Sequence, residues 1–418
     1  MHADSLETWR KEKDDVKLWM KIMIGLGLGI VTGLVLGEKA SYVKPIGTLF
    51  INAIKMLIIP LIFSSLIVGM TSLKDSKQLG RIGLKTLAVY MVTTAFAVCI
   101  GLIVSSIMTP GEGMVIDMGT AAAAKKAPPF IDTLINIVPK NPLGALSSGK
   151  VLQVICFAIF LGIAINITGE KAAPFKRLCE AVAEIMYTLT AIVMEFAPYG
   201  VFALMAWVVG NYGASTLLPL LKVILAMYIA AVLHAVVVYG AGVSFIARLN
   251  PLHFFKGIMD AQAVAFTTTS SSGTLPVTMR CAKENLGVSK SISSFVLPMG
   301  ATVNMDGTAI YQGIVALFVA QAAGIELTTT HYMTLILSST LASIGTAGVP
   351  GAGLIMLSVT LSSIGLPLEG IALVAGIDRI LDMARTCVNV TGDGMTALLV
   401  GKSEGEFDKT IYDSSDTL

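Results

Sequence analysis

Charged side chains are scarce. Asp, Glu, Lys and Arg supply 13% of the 418 residues, about half the share of an ordinary soluble domain, so most of the surface is not built for water. No basic block or stripe occurs and the net charge is only +2, which argues against a nucleic-acid surface. The five cysteines (Cys99, Cys156, Cys179, Cys281, Cys387) lie apart without C-x-x-C spacing and indicate neither a disulfide framework nor a zinc site. His2, His234, His253 and His331 are equally dispersed and form no transition-metal cluster. His234, inside an apolar run, reads as a packed or hydrogen-bonded imidazole. The first long apolar run exceeds a signal-peptide core and lacks a small-residue cleavage site, so it is expected to be retained.

What abounds is hydrocarbon: 55% of residues are hydrophobic and the mean hydropathy is +0.79. Several runs reach the ~20 residues that a helix needs to cross a bilayer, among them 17–36, 86–108 and 218–247. An all-α polytopic membrane protein is expected, with eight spans near 17–36, 45–72, 82–108, 131–168, 173–210, 216–248, 291–323 and 370–401. The fourth and fifth are long enough to be tilted or broken. Stretches 257–282 and 332–364 are interrupted by Ser, Gly and Pro clusters and fit poorly as simple crossings.

Loop charges decide how those two stretches run. With the N-terminus inside, Arg10, Lys11, Lys13, Lys74, Lys77, Arg81, Lys171, Lys176, Arg177, Arg248, Lys256, Lys283, Lys290 and Lys402 fall on the cytoplasmic side. Mainly Lys39, Lys44, Lys125, Lys126 and Lys140 remain outside, in keeping with the positive-inside bias. The asymmetry holds if each interrupted stretch enters and leaves by one face. Both are therefore read as re-entrant hairpins, with both termini cytoplasmic. Their tips, TSSSGTLP (269–276) and SIGTAGVP (343–350), are alike, and each is followed by a span with a polar break: NMDGT (304–308) and NVTGD (389–393). Hairpin plus broken span, twice and with opposite entry, is an inverted repeat whose site lies near mid-membrane. The terminal segments 1–12 and 403–418 read as polar and exposed.

The polar residues of the last span have a direction. At 100° per residue, Asp378, Asp382, Arg385, Thr386, Asn389 and Asp393 fall within an arc of about 100°. One charge at bilayer depth costs about 3 kcal/mol, so this stripe cannot face lipid. One Asp–Arg pair could merely join two helices, but three carboxylates with Asn and Thr exceed that need. Arg385 offers a planar fork for a carboxylate and Asp382 can accept an ammonium. The tip Ser270–Ser271–Ser272 adds hydroxyls and backbone N–H groups for a second carboxylate. An acidic amino acid fits these groups. In the seventh span, Pro298, Gly300 and Gly307 favour unwinding, which would free carbonyls to join Asp306 and Asp393 as hard oxygen ligands for an alkali cation or a proton. An inward-negative potential opposes an anion by about 2.3 kcal/mol per charge per 100 mV, so uptake would require more than one co-transported positive charge.

At these residues the chain resembles the dicarboxylate/amino acid:cation symporters, the glutamate and aspartate transporters. The resemblance runs through MLIIPLIFSS (56–65), VPKNPLGAL (138–146), SSSGTLP (270–276), NMDGT (304–308), GTAGVPGAG (345–353) and DMARTCVNVTGD (382–393). It implies a homotrimer in the cell membrane, with an elevator mechanism and the second hairpin as extracellular gate. Each protomer would have a scaffold (13–80 and 109–215) and a transport domain (81–108 and 216–402). Implied substrate contacts are Ser270, Ser271, Thr308, Val349, Gly353, Asp382, Arg385, Thr386 and Asn389. Implied sodium sites are Gly300, Asn304, Asn389 and Asp393; Thr302, Ser343, Ile344 and Thr346; and Tyr90, Thr93, Thr94, Asn304 and Asp306. The implied activity is sodium-coupled uptake of L-aspartate or L-glutamate, with proton-coupled uptake of glutamate or a C4-dicarboxylate as the alternative.

The chain departs from its relatives in places. Thr269 stands where archaeal members carry an arginine just before the serine tip, and Met383 where animal ones carry it two residues before the selective arginine; Arg379 could replace that charge by pairing with Asp378 or by reaching the first hairpin. Gln312 stands where animal members have a protonatable glutamate. An intramembrane aspartyl protease built on Asp306 and Asp393 is disfavoured, because Met305 and Val390 replace the residues that its motifs need. An anion conductance could accompany carriage without replacing it.

Overall fold

The computed structural model describes residues 18–71, 77–114, 135–344, 346, 348–368 and 370–414. The expected N-terminal tail and the lysines at 74, 125 and 126 lie outside them. The described residues are helical, with one isolated antiparallel bridge, Val288 to Phe407. The helices are α1 (Leu18–Leu36), α2 (Lys44–Thr71), α3 (Lys77–Met108), α4 (Pro142–Ser147), α5 (Val151–Thr168), α6 (Ala173–Glu195), α7 (Ala197–Tyr212), α8 (Leu217–His234), α9 (Pro251–Thr268), α10 (Ser271–Glu284), α11 (Lys290–Val303), α12 (Asp306–Ala322), α13 (Thr329–Ile344), α14 (Ala352–Ser363), α15 (Gly370–Ala375), α16 (Asp378–Ser403) and α17 (Lys409–Ser414). Five helical runs among them are long and apolar enough to cross a membrane: 20–68, 80–108, 153–195, 214–246 and 290–322.

Local chemistry sets the boundaries. Asn250 accepts from the Leu252 N–H and Pro251 opens α9, while Ser270 and Ser289 cap α10 and α11 through Gly273 and Ile292. Each oxygen satisfies an N–H group that the first helical turn leaves without a partner. The stretch expected as one span over 173–210 divides at Phe196, two residues before Pro198 in the first turn of α7. The last span also divides, but not where expected. Residues 389–393 continue the α16 helix, and the interruption falls upstream at Gly376–Ile377. Asn389, Thr391 and Asp393 satisfy their polar groups from the helix surface, so no unwinding is needed there. In the seventh span the break is real: Asn304 and Met305 leave the helix between α11 and α12.

Packing follows small residues. Gly25, Gly29 and Gly33 form an i, i+4 stripe on α1; a Cβ at Gly29 would stand 2.6 Å from the Phe202 carbonyl oxygen, and one at Gly33 2.7 Å from that of Ala206. The stripe brings α1 into backbone contact with α7, as small residues do where lipid supplies no hydrophobic drive between helices. Helices α1, α2, α5, α6 and α7 pack mainly together, and α3, α8 to α12 and α16 form a second group. In that group α12 is buried along nearly its whole length, whereas Ile107, Phe245 and Ile246 stay largely exposed on the outer surface.

The C-terminal segment is not a free tail. After α16, the Ser289 N–H donates to the Glu406 carbonyl and the Asp408 N–H to that of Gly287. Tyr412 is fully buried and donates to the Asn250 carbonyl at 2.7 Å. Arg81 and Lys85 from α3 both bond the Glu404 carboxylate, which those bonds hold down at about 2. The expected exposure holds for most of 403–414, including Ser403, Asp408 to Thr410, Asp413 and Ser414, while Glu404, Glu406 and Tyr412 find partners on other segments.

Candidate functional site

The α9–α10 and α13–α14 hairpins meet tip to tip. The Ser270 hydroxyl donates to the Gly348 carbonyl at 2.8 Å, and the Ser272 N–H donates to the same oxygen at 3.0 Å. Thr269 takes the left-handed conformation that reverses the first tip, with φ at +52°. Ser271 is buried behind it and Val349 half-buried beside Gly348.

Beneath the tips, α16 presents its polar stripe. Arg385 is only 1% exposed. Its guanidinium donates to both oxygens of Asp378 at 2.7 and 3.3 Å, and it meets Asp382 at 2.9 Å. It also lies 4.4 Å from the Tyr311 ring centre, a cation–π contact that adds to the charge pairing. The Thr386 hydroxyl donates to Asp382 at 3.4 Å, and the Gly351 N–H of the second hairpin reaches that carboxylate at 3.2 Å. Gly353 sits against the arginine, since a Cβ there would fall 2.5 Å from its Nη1. Asp382 and Arg385, expected to take opposite ends of a zwitterion, here bond each other. The space left beside them, bounded by Phe50, Met194, Gly351 and Arg379, is about 20 Å³, room for one water.

A few residues further along α16, the stripe joins the break between α11 and α12. The Gly307 N–H donates to Asn389 Oδ1 at 2.8 Å, and Asn389 Nδ2 donates to the Met305 sulfur at 3.2 Å. Asn304 donates to Asp393 at 2.9 Å and to the Asn389 carbonyl at 3.4 Å, while its own Oδ1 is buried without a partner among the described residues. A Cβ on Gly300 would stand 2.5 Å from the Tyr90 hydroxyl and also meet the Asp393 carboxylate. The first expected cation set thus converges on one buried point, and its oxygens are of the hard kind that alkali cations take.

The other two sets converge in part. Ser343 accepts from the Met305 N–H at 3.0 Å and the Thr346 N–H donates to the Ser343 carbonyl at 3.2 Å. Ile344 ends α13 between them, while half-buried Thr302 bonds within its own helix to Met299. In the third set Thr94 donates to Asp306 Oδ1 at 2.6 Å. Tyr90 donates to the Val296 carbonyl and Thr93 to that of Tyr90, so neither bonds Asp306 directly. Thr308 is buried in the first turn of α12, one residue from the Gly307–Asn389 bond. Asp306 and Asp393 have separate partners and share no hydrogen bond, unlike the paired acids of an aspartyl protease.

Several residues of this region escaped the sequence reading. Asp378 was placed on the stripe but not as the main partner of Arg385. Tyr311, three residues after Thr308 on α12, had an i, i+3 signal that could have found it. Tyr239 and His234 both reach Asp306 Oδ2, at 2.8 and 3.3 Å; the bonded imidazole was expected, its acidic partner was not. Of the two contacts foreseen for Arg379, the structure has the one to the first hairpin, through the Thr269 hydroxyl and the Thr267 carbonyl.

Comparison with known proteins places relatives beside this chain. A family model described as the sodium:dicarboxylate symporter family matches residues 18–403. The chain is 38% identical to a proton/sodium-glutamate symport protein of Geobacillus stearothermophilus over 406 residues, covering 94% of this chain and 96% of the relative. It is 35% identical to a proton/glutamate-aspartate symporter of Escherichia coli over 409 residues, 93% of each chain. It is likewise 35% identical to C4-dicarboxylate transport protein 2 of Pseudomonas aeruginosa over 394 residues, 92% of this chain and 90% of that one.

Proposed function

Since the chain belongs to the sodium:dicarboxylate symporter family, we propose that it takes up L-glutamate or L-aspartate across the cytoplasmic membrane, driven by inward sodium. It is a symporter, not an enzyme. One observation carries the reading: the helix that bears a fully buried arginine, α16, also bears Asn389 and Asp393, which bond Gly307 and Asn304 at the break between α11 and α12. Arg385 would bind the side-chain carboxylate of the substrate and Asp382 its ammonium, while Thr386, Asn389, Thr308 and the hairpin tips would close around the remainder. The oxygens of Asn304, Asp306 and Asp393 would hold sodium, whose charge offsets carboxylates buried in hydrocarbon.

Binding then requires movement. An amino acid does not fit in about 20 Å³, and the Gly351 N–H lies on Asp382. Opening the second hairpin would break that contact and the Gly348 bonds to the first tip. The division of the helices into two packing groups supports a scaffold of 13–80 and 109–215 with a transport domain of 81–108 and 216–402 that moves as an elevator. We extend the reading to eight spans, two re-entrant hairpins, cytoplasmic termini and a homotrimer.

A second reading has its own support. Some relatives are named for protons as well as sodium, and others for C4-dicarboxylates. Proton-coupled uptake of glutamate or a C4-dicarboxylate is therefore the alternative, although Asp382 would have no partner in a ligand without an amine. Purified protein in liposomes separates the two. Labelled glutamate or aspartate should accumulate under an inward sodium gradient; equal accumulation under a pure proton gradient would overturn the sodium assignment.

A further inference from the structure

Helix α8 does not stop at His234. The chain continues through π-helical turns over Ala235–Tyr239 and Gly242–Ile246. Such turns are rare and collect at functional sites, and this one has a visible effect. On an α-helix, side chains five residues apart point about 140° from each other, so His234 and Tyr239 could not face one carboxylate. With the π turn, their ring centres lie 4.7 Å apart, edge to face, and both reach Oδ2 of Asp306. Both are wholly buried. Nδ1 of His234 has no partner among the described residues, so the tautomer with its hydrogen on Nε2 is the one that strands no donor.

Tyr239 has a second neighbour. Its hydroxyl lies 3.1 Å from the Val388 carbonyl on α16, one residue before Asn389. A single hydroxyl hydrogen serves one of these acceptors well at a time. We propose that Tyr239, aimed by the π turn and backed by His234, is a positioning residue that couples the cation site at Asp306 to the substrate span. The inference rests on the reading above that Asp306 serves a cation. The two neutral donors fix Oδ2 and so orient Oδ1 toward Thr94 on α3. When a cation takes up the charge of Asp306, the Tyr239 hydrogen turns to the Val388 carbonyl and steadies the turn that carries Asn389. Cation and substrate then favour each other's binding through a contact that neither ligand touches, and the effect is reciprocal.

The test uses purified full-length protein and titrates sodium while following glutamate and aspartate binding by calorimetry. Tyr239→Phe and His234→Leu should each cut, by up to about tenfold, the factor by which saturating sodium tightens substrate binding, as expected for losing a hydrogen bond to a neutral carbonyl. Substrate affinity without sodium should stay unchanged, because in that state the Tyr239 hydrogen is on Asp306 and not on the Val388 carbonyl. His234→Gln, which keeps a donor, should restore most of the sodium response. Sodium titrations of both variants that overlay the wild type would overturn the proposal. So would losses of substrate affinity that are equal with and without sodium, which would mark a merely structural role. Wild-type binding indifferent to sodium would instead remove the reading beneath the inference, and the inference with it.

Discussion

Arg385→Met takes the guanidinium from between Asp378 and Asp382 while keeping a side chain of similar reach over Tyr311. The arginine is 1% exposed and contacts its two carboxylates at 2.7 and 2.9 Å. Removing one partner of a buried ion pair costs about 3–5 kcal/mol, because the survivor is left uncompensated. Here two carboxylates survive, and sharing a proton relieves part of their repulsion. The expected loss is therefore about 3 kcal/mol, the lower end of that range. Asp378→Asn alone gives up a charge-assisted contact, at about 1.5–3 kcal/mol. Combined, the costs should not add, because the second substitution removes a charge that the first had stranded. The double variant should be at least as stable as Arg385→Met, with a coupling energy of at least about 1.5 kcal/mol. Unfolding in detergent, without substrate, measures all four members of the cycle. Additive losses, or an Arg385→Met protein as stable as the wild type, would refute the view that these three side chains form one buried electrostatic unit.

Other outcomes follow from the same geometry. Arg379→Ala should loosen the first hairpin tip, seen as faster hydrogen exchange over 267–273 and slower transport; unchanged affinity and rate would exclude a role for its bonds to Thr267 and Thr269. Tyr412→Ala removes a buried aromatic that fastens the C-terminal segment, at a cost of about 3 kcal/mol, and should expose the amides of 285–290 to exchange. Glu404 has a folded pKa of about 2 against an ordinary 4.5. Its contribution is therefore fully present above pH 4.5 and is lost as pH falls toward 2; Glu404→Gln should flatten that part of the acid-stability curve. Gly29→Val forces a side chain into the Phe202 carbonyl and should lower the melting temperature more than Gly27→Val, whose neighbourhood is open.

Much of the protein was legible before any coordinates, and for physical reasons. Hydrocarbon makes long apolar runs obligatory, and it makes every buried charge expensive enough to stand out. The α16 stripe could be read because helical periodicity is regular, and the break at Asn304 because Pro298, Gly300 and Gly307 weaken the helix around it. The same rule misled at 389–393, where polar residues and a glycine suggested a second break. There the side chains are satisfied across the helix surface by Asn304, Gly307 and Gln262, so the backbone keeps its own bonds. Polarity correctly marked most of 403–414 as exposed but could not show that Glu404, Glu406 and Tyr412 meet partners on other segments.

Composition and periodicity alone determined the class of molecule, the positions of most helices and the residues on which charge had to be compensated. They could not determine which charge compensates which, because that depends on contacts between segments far apart in the chain. Asp378 rather than substrate faces Arg385, Arg379 reaches across to the first hairpin, and a π turn invisible to a 100° periodicity swings His234 and Tyr239 onto Asp306. Those choices belong to the tertiary structure, where distance and direction select among partners that the sequence merely makes available.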